Sequence, residues 1–413
     1  MQDLLAYVAE SGAVKHVVAL STLYPNPVYP DRGGFVARSL ESLARRSEAG
    51  WRVSVVNPIG IPPIALGKTR ELAHLDPVDD SGSITVHRPQ YTLVPKLGGR
   101  RDTAAIARAT LAVIRKLHAE APVSLIAAQS FYPDGPAAAG IARQIGVPLS
   151  IKARGNDIDD WGKVDFARDQ MVEAARRASG MLAVSEALKR RMAALGMDRS
   201  RIAVHLTGLD RDRFRPLDHD RLRAQLAKAL GFTIPDNTPL LACVGELAER
   251  KGQDIAIAAL AGIEGAQLIV SGEGEDEAHL RSLAADLDLA SRVHFVGALD
   301  HDMLPLVLSA SDAMVLPTAN EGLANPWVEA LACGTPVITS DTGGAREVIV
   351  DDIAGRLVSR DPESVAAGVN SVLNDPPLRR HVAARAARFS WDRHAAELAA
   401  HYDRLTARAG RVA

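Results

Sequence analysis

The chain has 413 residues, 47% of them hydrophobic and 24% charged, with a net charge of −2. That length exceeds one ordinary domain, and the composition excludes a disordered or fibrous chain, so two globular domains are expected. No apolar run reaches the ~20 residues of a membrane span, and the start MQDLLAYVAESGAV lacks the basic and apolar segments of a secretory leader, so the chain reads as cytoplasmic.

In chain order, HVVALS (16–21) reads as a strand and GGFVARSLESLARR (33–46) as a helix with Val36, Leu40 and Leu43 on one face. RVSVV (52–56) is the next strand, and the Pro- and Gly-containing stretch 57–68 reads as a loop. The helix 103–119 leads to the strand VSLIAA (123–128), and Asp134 and Pro136 suit a helix start before the strand PLSIKA (148–153). MLAV (181–184) precedes a helix capped by Ser185 and ended by Gly196, and IAVHL (202–206) follows. The second half repeats the rhythm with strands PLLACV (239–244), AQLIVS (266–271), RVHFVG (292–297), AMVLP (313–317) and PVITS (336–340). FSWDRHAAELAAHYDRL (389–405) is an amphipathic helix. Strand–helix alternation in both halves predicts α/β folding with parallel sheets, as two Rossmann-like domains meeting near DRDRFRP (210–216).

The two cysteines, Cys243 and Cys333, lie in apolar runs and read as core residues, and no His- or Cys-rich spacing marks a metal. Charge is uneven: residues 1–215 hold 30 Lys+Arg against 22 Asp+Glu, and the remainder 18 against 28. Two domains with different partners would give this pattern, as would scatter over solvated faces. GKT (67–69) is not a P-loop end, because the glycine the pattern needs falls on Pro62. SGEGED (271–276) has only the beginning of a dinucleotide fingerprint.

GELAERKGQDIAIAAL (245–260) sets Arg250 and Lys251 beside a helix expected to begin near Gln253. The helix dipole is positive there, so an anion such as phosphate would resolve the conflict; two solvated basic residues are the alternative. In ANEGLANPWVEALACGTP, Asn325 reads as a helix cap and Pro326 as its first turn, so Gly322 to Asn325 form a loop at a strand's carboxyl end. Glu329 would lean toward that helix start, where its carboxylate can accept two hydrogen bonds from a vicinal diol; both Glu321 and Glu329 would also stabilise a bare helix start. Gly33 and Gly34 open the first helix, where a ligand could approach closely, although turn chemistry alone would use them too.

Together these stretches resemble retaining glycosyltransferases of family 4, whose GT-B architecture has two Rossmann-like domains facing across a cleft. The matching pieces run in the family's order from about residue 16 to 405: GG (33–34), RGNDI (154–158), AVSEALKRRMAALG (183–196), TGLDRDRFRP (207–216), GELAERKG, SGEGED, EGLANPWVEALACGTPVI (321–338) and GGAREVI (343–349). The resemblance implies an acceptor domain over 1–212, a donor domain over 213–388 and a C-terminal helix, 389–413, crossing back to the first domain. It implies that Glu329 binds the ribose of a nucleotide-sugar, and that Glu321, with the amides of Leu323, Ala324 and Asn325, meets the sugar and phosphate. Lys251 and Arg250 would neutralise the diphosphate, lined also by Gly33, Gly34 and Gly245. Arg154 would act with Lys251 and Glu321 in turnover, and Asn156 and Asp157 would face the acceptor. The chain departs from the family at Glu246, where many members have Arg, and at Arg154, where many have His.

The activity implied is retaining transfer from a UDP- or GDP-sugar to a sugar, glycolipid or small-molecule hydroxyl, in polysaccharide, glycolipid or glycoside biosynthesis. The nucleotide-sugar is a co-substrate, and neither cofactor, metal nor nucleic acid is expected. A GT-B phosphorylase, a nucleotide-sugar epimerase and a non-catalytic sugar-binding protein are the alternatives. Arg100, Arg101, Arg108, Arg115 and Lys116 allow peripheral contact with an anionic membrane, against a plain solvated face. Base, sugar, acceptor and oligomeric state are not written in the sequence.

Overall fold

The computed structural model describes residues 14–30, 32–46, 50–94, 99–235, 237–300 and 302–409; apart from Val14, the stretch read for a leader lies outside them. The chain forms two compact units, one of residues 1–208 with 391–413 and one of residues 209–390. The changeovers fall after Gly208 and Ser390 and not after 212 and 388. Leu209, which belongs to the second unit, is buried.

The first unit contributes β1 (Lys15–Leu20), β2 (Trp51–Val56), β3 (Ile59–Ile61), β4 (Val78–Asp79), β5 (Thr85–His87), β6 (Gln90–Thr92), β7 (Leu125–Ala128), β8 (Leu149–Ala153), β9 (Gly180–Ala183) and β10 (Ile202–Val204). Eight of them form one sheet in the order β10-β9-β8-β7-β1-β2-β5-β4. Its pairings are parallel except at the β4 edge. β1, β7 and β8 are buried almost throughout, which is why they read as continuous apolar runs and not as alternating ones. The stretch read as a loop over 57–68 is structured in part: β3 pairs with β6 in a separate two-stranded sheet, and a helix starts at Lys68. Strands of three residues leave no periodicity to detect.

The helix Gly34–Arg45 lays Val36, Leu40 and Leu43 on this sheet. The C-terminal helix Trp391–Ala409 packs Leu398, Ala399, Tyr402 and Leu405 into the same core. Its Asp403 bonds Lys15 at 2.6 Å and the Trp51 indole at 3.1 Å. Ser185 caps the helix Glu186–Ala194 by accepting from the Leu188 amide at 3.1 Å.

The second unit contributes β11 (Leu240–Val244), β12 (Gln267–Ser271), β13 (Val293–Phe295), β14 (Ala313–Leu316), β15 (Val337–Ser340) and β16 (Gly355–Val358). They form a fully parallel sheet in the order β13-β12-β11-β14-β15-β16. β12 and β13 lie to one side of β11, and β14, β15 and β16 to the other. The switch point at β11 and β14 is where open α/β sheets bind ligands, beyond the strands' carboxyl ends.

Candidate active site

The loops leaving β11 and β14 emerge side by side at that switch point, since the two strands pair directly. They are fastened to each other. The Arg250 carbonyl accepts from the Ala319 amide at 2.7 Å and from the Thr318 hydroxyl at 2.9 Å. Gly252 has φ of 77°, and a side chain there would collide with the Pro317 carbonyl. After the one-turn Glu249–Lys251 segment, Gly252 lets the chain swing into the helix Gln253–Ala259.

Three of the four charged groups predicted for this site meet here. Lys251 Nζ donates to Glu321 Oε1, and both side chains are nearly buried. Arg250 Nη1 stands 3.9 Å from the same carboxylate oxygen, while Nη2 donates to Glu246. The two cations at the helix start are thus answered by the protein's own carboxylates. Arg250 is tied to Glu246, the residue that stands where many family members have arginine.

Beside this cluster, the amides of Gly322, Leu323, Ala324 and Asn325 find no internal acceptor among the described residues. They form a row of donors at a helix N-terminus, suited to an anion. The helix runs from Asn325 to Ala332, so Asn325 is its first residue and not its cap; Ala324 holds the cap position without a side-chain bond. The Ala324 carbonyl accepts from the Trp327 amide at 3.2 Å, so a backbone turn opens the helix and leaves no need for a capping side chain. Glu329 lies one turn after Asn325, half-buried, on the face that also carries the helix start.

The glycines of the neighbouring motifs explain how this floor is held. A side chain on Gly272 would strike the Gly245 carbonyl, and one on Gly274 would strike the Leu247 carbonyl. SGEGED is therefore a backing for GELAERKG: Leu247 donates its amide to the Glu273 carbonyl at 2.9 Å. Gly245 itself has φ of 154°, with room around it. Gly343, with φ of 52°, lies against the Glu321 backbone in the same way. These supports were invisible as chemistry in the sequence because they act through absent side chains.

In the first unit, Gly33 caps the helix Gly34–Arg45 in the left-handed region, with φ of 76°. Arg154 stacks over Phe35 with Cζ 5.1 Å from the ring centre, next to that helix start. Its Nε and Nη2 donate to the Gln129 carbonyl and side chain at 3.1 and 2.9 Å. Nη1 has no partner among the described residues. Burial lowers the Arg154 pKa to about 10, still far above neutrality.

Asp157, expected to face the acceptor, is instead buried and committed to the backbone. It accepts from the Phe131, Arg154 and Gly155 amides at 2.6, 2.9 and 2.8 Å. Its carboxylate shapes the RGND turn, and burial raises its pKa. Asn156 is exposed at the start of the four-residue helix Asn156–Asp159. Gln129 escaped the sequence reading because nothing in its spacing links it to Arg154, 25 residues on. Among the described residues no group of three or more His, Cys, Asp or Glu is placed to hold a metal.

Residues 33–208 match the family described as glycosyl transferase 4-like domain, and residues 230–389 match glycosyl transferases group 1. Over 272 residues the chain is 30% identical to the GDP-mannose-dependent monoacylated alpha-(1-6)-phosphatidylinositol monomannoside mannosyltransferase of Corynebacterium glutamicum, covering 62% of this chain and 70% of that protein. It is 33% identical over 219 residues to the D-inositol 3-phosphate glycosyltransferase of Salinispora tropica, covering 49% of this chain and 45% of that one. The chain thus spans about half the length of that relative and of others bearing the same name. The fold matches sucrose-phosphate synthase from Thermosynechococcus elongatus with a TM-score of 0.77 at 21% identity, over 95% of this chain and 100% of that one.

Proposed function

The chain belongs to the group 1 glycosyl transferases, and from that premise we infer that it moves a sugar from a nucleoside diphosphate to an acceptor hydroxyl. The observation that carries this reading is the β11/β14 switch point. Lys251 and a row of open amides stand there in two adjoining loops, with Glu329 on the helix that follows. A diphosphate suits the amides and the lysine; a ribose diol suits Glu329. Glu321 pairs with Lys251 and, on this reading, meets the transferred sugar.

In the proposed step the bond from the anomeric carbon to the diphosphate oxygen breaks, and its electron pair leaves with the diphosphate. The acceptor oxygen bonds the same face of the carbon, with retention, and its proton passes to the departing phosphate. The protein's task is to stabilise charge growing on the diphosphate, which preset cations and amides do without reorganising. The scheme uses no metal and no cofactor. On this reading the first unit takes the acceptor. The two relatives compared are named for inositol-bearing acceptors, which favours a polyol or glycolipid hydroxyl here.

The test is a thermal-shift screen against UDP, GDP and their sugars, followed by nucleotide release with candidate acceptors. Stabilisation by one nucleotide and acceptor-dependent release are expected. Release that requires inorganic phosphate would indicate a phosphorylase, and binding without release would indicate a sugar-binding protein. Interconversion of the donor with no transfer would indicate an epimerase.

A further inference from the structure

Packing alone does not account for the Tyr402 hydroxyl. The segment AAELAAHYDRL places Leu398, Ala399, Tyr402 and Leu405 on one helix face, and that face is buried in the first unit's core. The Tyr402 ring fills part of this core and stands edge-on to Trp51, with ring centres 5.5 Å apart. A phenylalanine would do both. A buried hydroxyl is favourable only where it is bonded, and the side chain that Tyr402 bonds is Gln129.

Gln129 leads from there to Arg154. Gln129 follows β7 and Arg154 follows β8, two strands that pair directly. Both residues therefore emerge at the carboxyl end of the sheet, where open α/β sheets hold ligands. An arginine only donates, so the Gln129 atom 2.9 Å from Nη2 must be Oε1, and the amide nitrogen is turned the other way. That nitrogen reaches the Ala127 carbonyl only at 3.5 Å, and it faces the Tyr402 hydroxyl. Gln129 is 3% exposed, so solvent competes little for its amide.

The hold on the guanidinium has three parts. The Gln129 carbonyl takes Nε, the Gln129 side chain takes Nη2, and the Phe35 ring covers one face. One bond would fix a point; two along one edge fix the plane. What remains is Nη1, the corner without a partner among the described residues, on a side chain that is only half-buried. A Gln129 amide released from Tyr402 could rotate, and the second bond to Arg154 would go with it.

We propose that Tyr402 is a positioning residue for the reaction: its hydroxyl orients the Gln129 amide, and that amide aims the open corner of Arg154 at the reacting substrate. The effect on turnover rests on the transferase reading; the clamp itself does not. The C-terminal helix then serves the chemistry as well as the core of its unit. Tyr402→Phe is the test, since it removes one oxygen and keeps the ring. Its kcat should fall about tenfold with KM within about twofold of the parent, the pattern of a misplaced group that acts in the transition state. Gln129→Met removes the side-chain half of the clamp and should lower kcat about a hundredfold. In an Arg154→Ala background Tyr402→Phe should change nothing further. An equal drop in both backgrounds would mean that the hydroxyl serves packing alone, and overturns the proposal. Nitrogen NMR of the Arg154 guanidinium reads the clamp with no substrate present. Rotation about Cζ–Nε should be about fivefold faster in Tyr402→Phe, the worth of one hydrogen bond. Unchanged rotation overturns the proposal. A parent that transfers no sugar from any donor defeats the transferase reading, and the rotation rate then decides the clamp by itself.

Discussion

A Cβ on Gly33 would come within 2.5 Å of the Leu23 carbonyl, and the residue's φ is already in the left-handed region. A Cβ on Gly34 would meet nothing nearer than the Arg38 guanidinium, at 3.5 Å. The first glycine is required by the fold; the second is not, which leaves close approach of a ligand as its reason. Gly33→Ala should cost about 2 kcal/mol or more, as strain and a backbone collision combine. Gly34→Ala should melt like the parent and raise about tenfold the KM for the substrate that approaches this helix start. If Gly34→Ala leaves KM untouched, the glycine is turn chemistry only. The same separation applies across β11 and β14. Lys251→Ala should lower kcat by two or more orders of magnitude, the ~3 kcal/mol of one preset transition-state donor. Glu329→Ala should chiefly weaken nucleotide binding. Normal turnover in the lysine variant would return Lys251 to the role of Glu321's ion-pair partner. These residue types were legible because carboxylates and lysines announce chemistry. The Lys251–Glu321 pairing was not, since it joins residues 70 apart through a strand pairing that sequence alone does not reveal.

At the scale of elements, long buried strands were legible because parallel pairing buries both faces and leaves an unbroken apolar run. β3 and β6 were not, because strands of three residues leave no periodicity to detect. The helix Gly99–Glu120 shows what amphipathic reading can and cannot deliver. Ile106, Thr110, Ile114 and Leu117 face the core, as the period requires. Arg101, Arg108 and Arg115, seven residues apart, form an exposed stripe on the far side. Among the described residues no helix is long and apolar enough to cross a membrane; the stripe is one surface that an anionic membrane could attract. Each basic residue near an anionic surface contributes ~1 kcal/mol. Replacing all three by Ala should therefore weaken binding to phosphatidylserine vesicles about a hundredfold at low salt, with the melting temperature unchanged. Equal sedimentation of parent and variant, or no preference over neutral vesicles, would leave the stripe as a solvated face.

For the whole molecule, the chain quits the first unit after Gly208 and returns at Trp391, and the two points touch: any side chain on Gly208 would run into the Trp391 indole. A buried polar network holds this junction. His205 donates Nε2–H to the His394 carbonyl at 2.9 Å, which turns its Nδ1 toward Lys152 Nζ as an acceptor, at 2.9 Å. His394 donates Nδ1–H to the Leu206 carbonyl at 2.7 Å and accepts from Ser39 at 2.6 Å through Nε2. Further along the C-terminal helix, His401 meets Ser150 at 3.1 Å. Carbonyls therefore fix neutral tautomers for His205 and His394. Burial, reinforced by the Lys152, Arg154 and Arg404 charges around them, lowers all three histidine pKa values, that of His401 to about 4. Unfolded, each imidazole titrates near 6.5, so below that pH the unfolded chain holds more protons and stability climbs with pH. The contributions are complete above about pH 6.5 and fade on acidification, the His401 window closing near pH 4, where it has removed about 3 kcal/mol. Lys152, held below its usual value by burial with only Glu397 opposing, extends the same trend above neutrality. Urea unfolding at pH 4.5, 5.5 and 7.5 should show falling stability toward acid. His401→Gln keeps a polar group beside Ser150 and removes the titration, so its slope between pH 4.5 and 6 should be shallower by up to ~1.4 kcal/mol per pH unit. A parent and variant with identical slopes would mean that His401 titrates alike in the folded and unfolded chain, and that the acid sensitivity of the junction lies with His205 and His394.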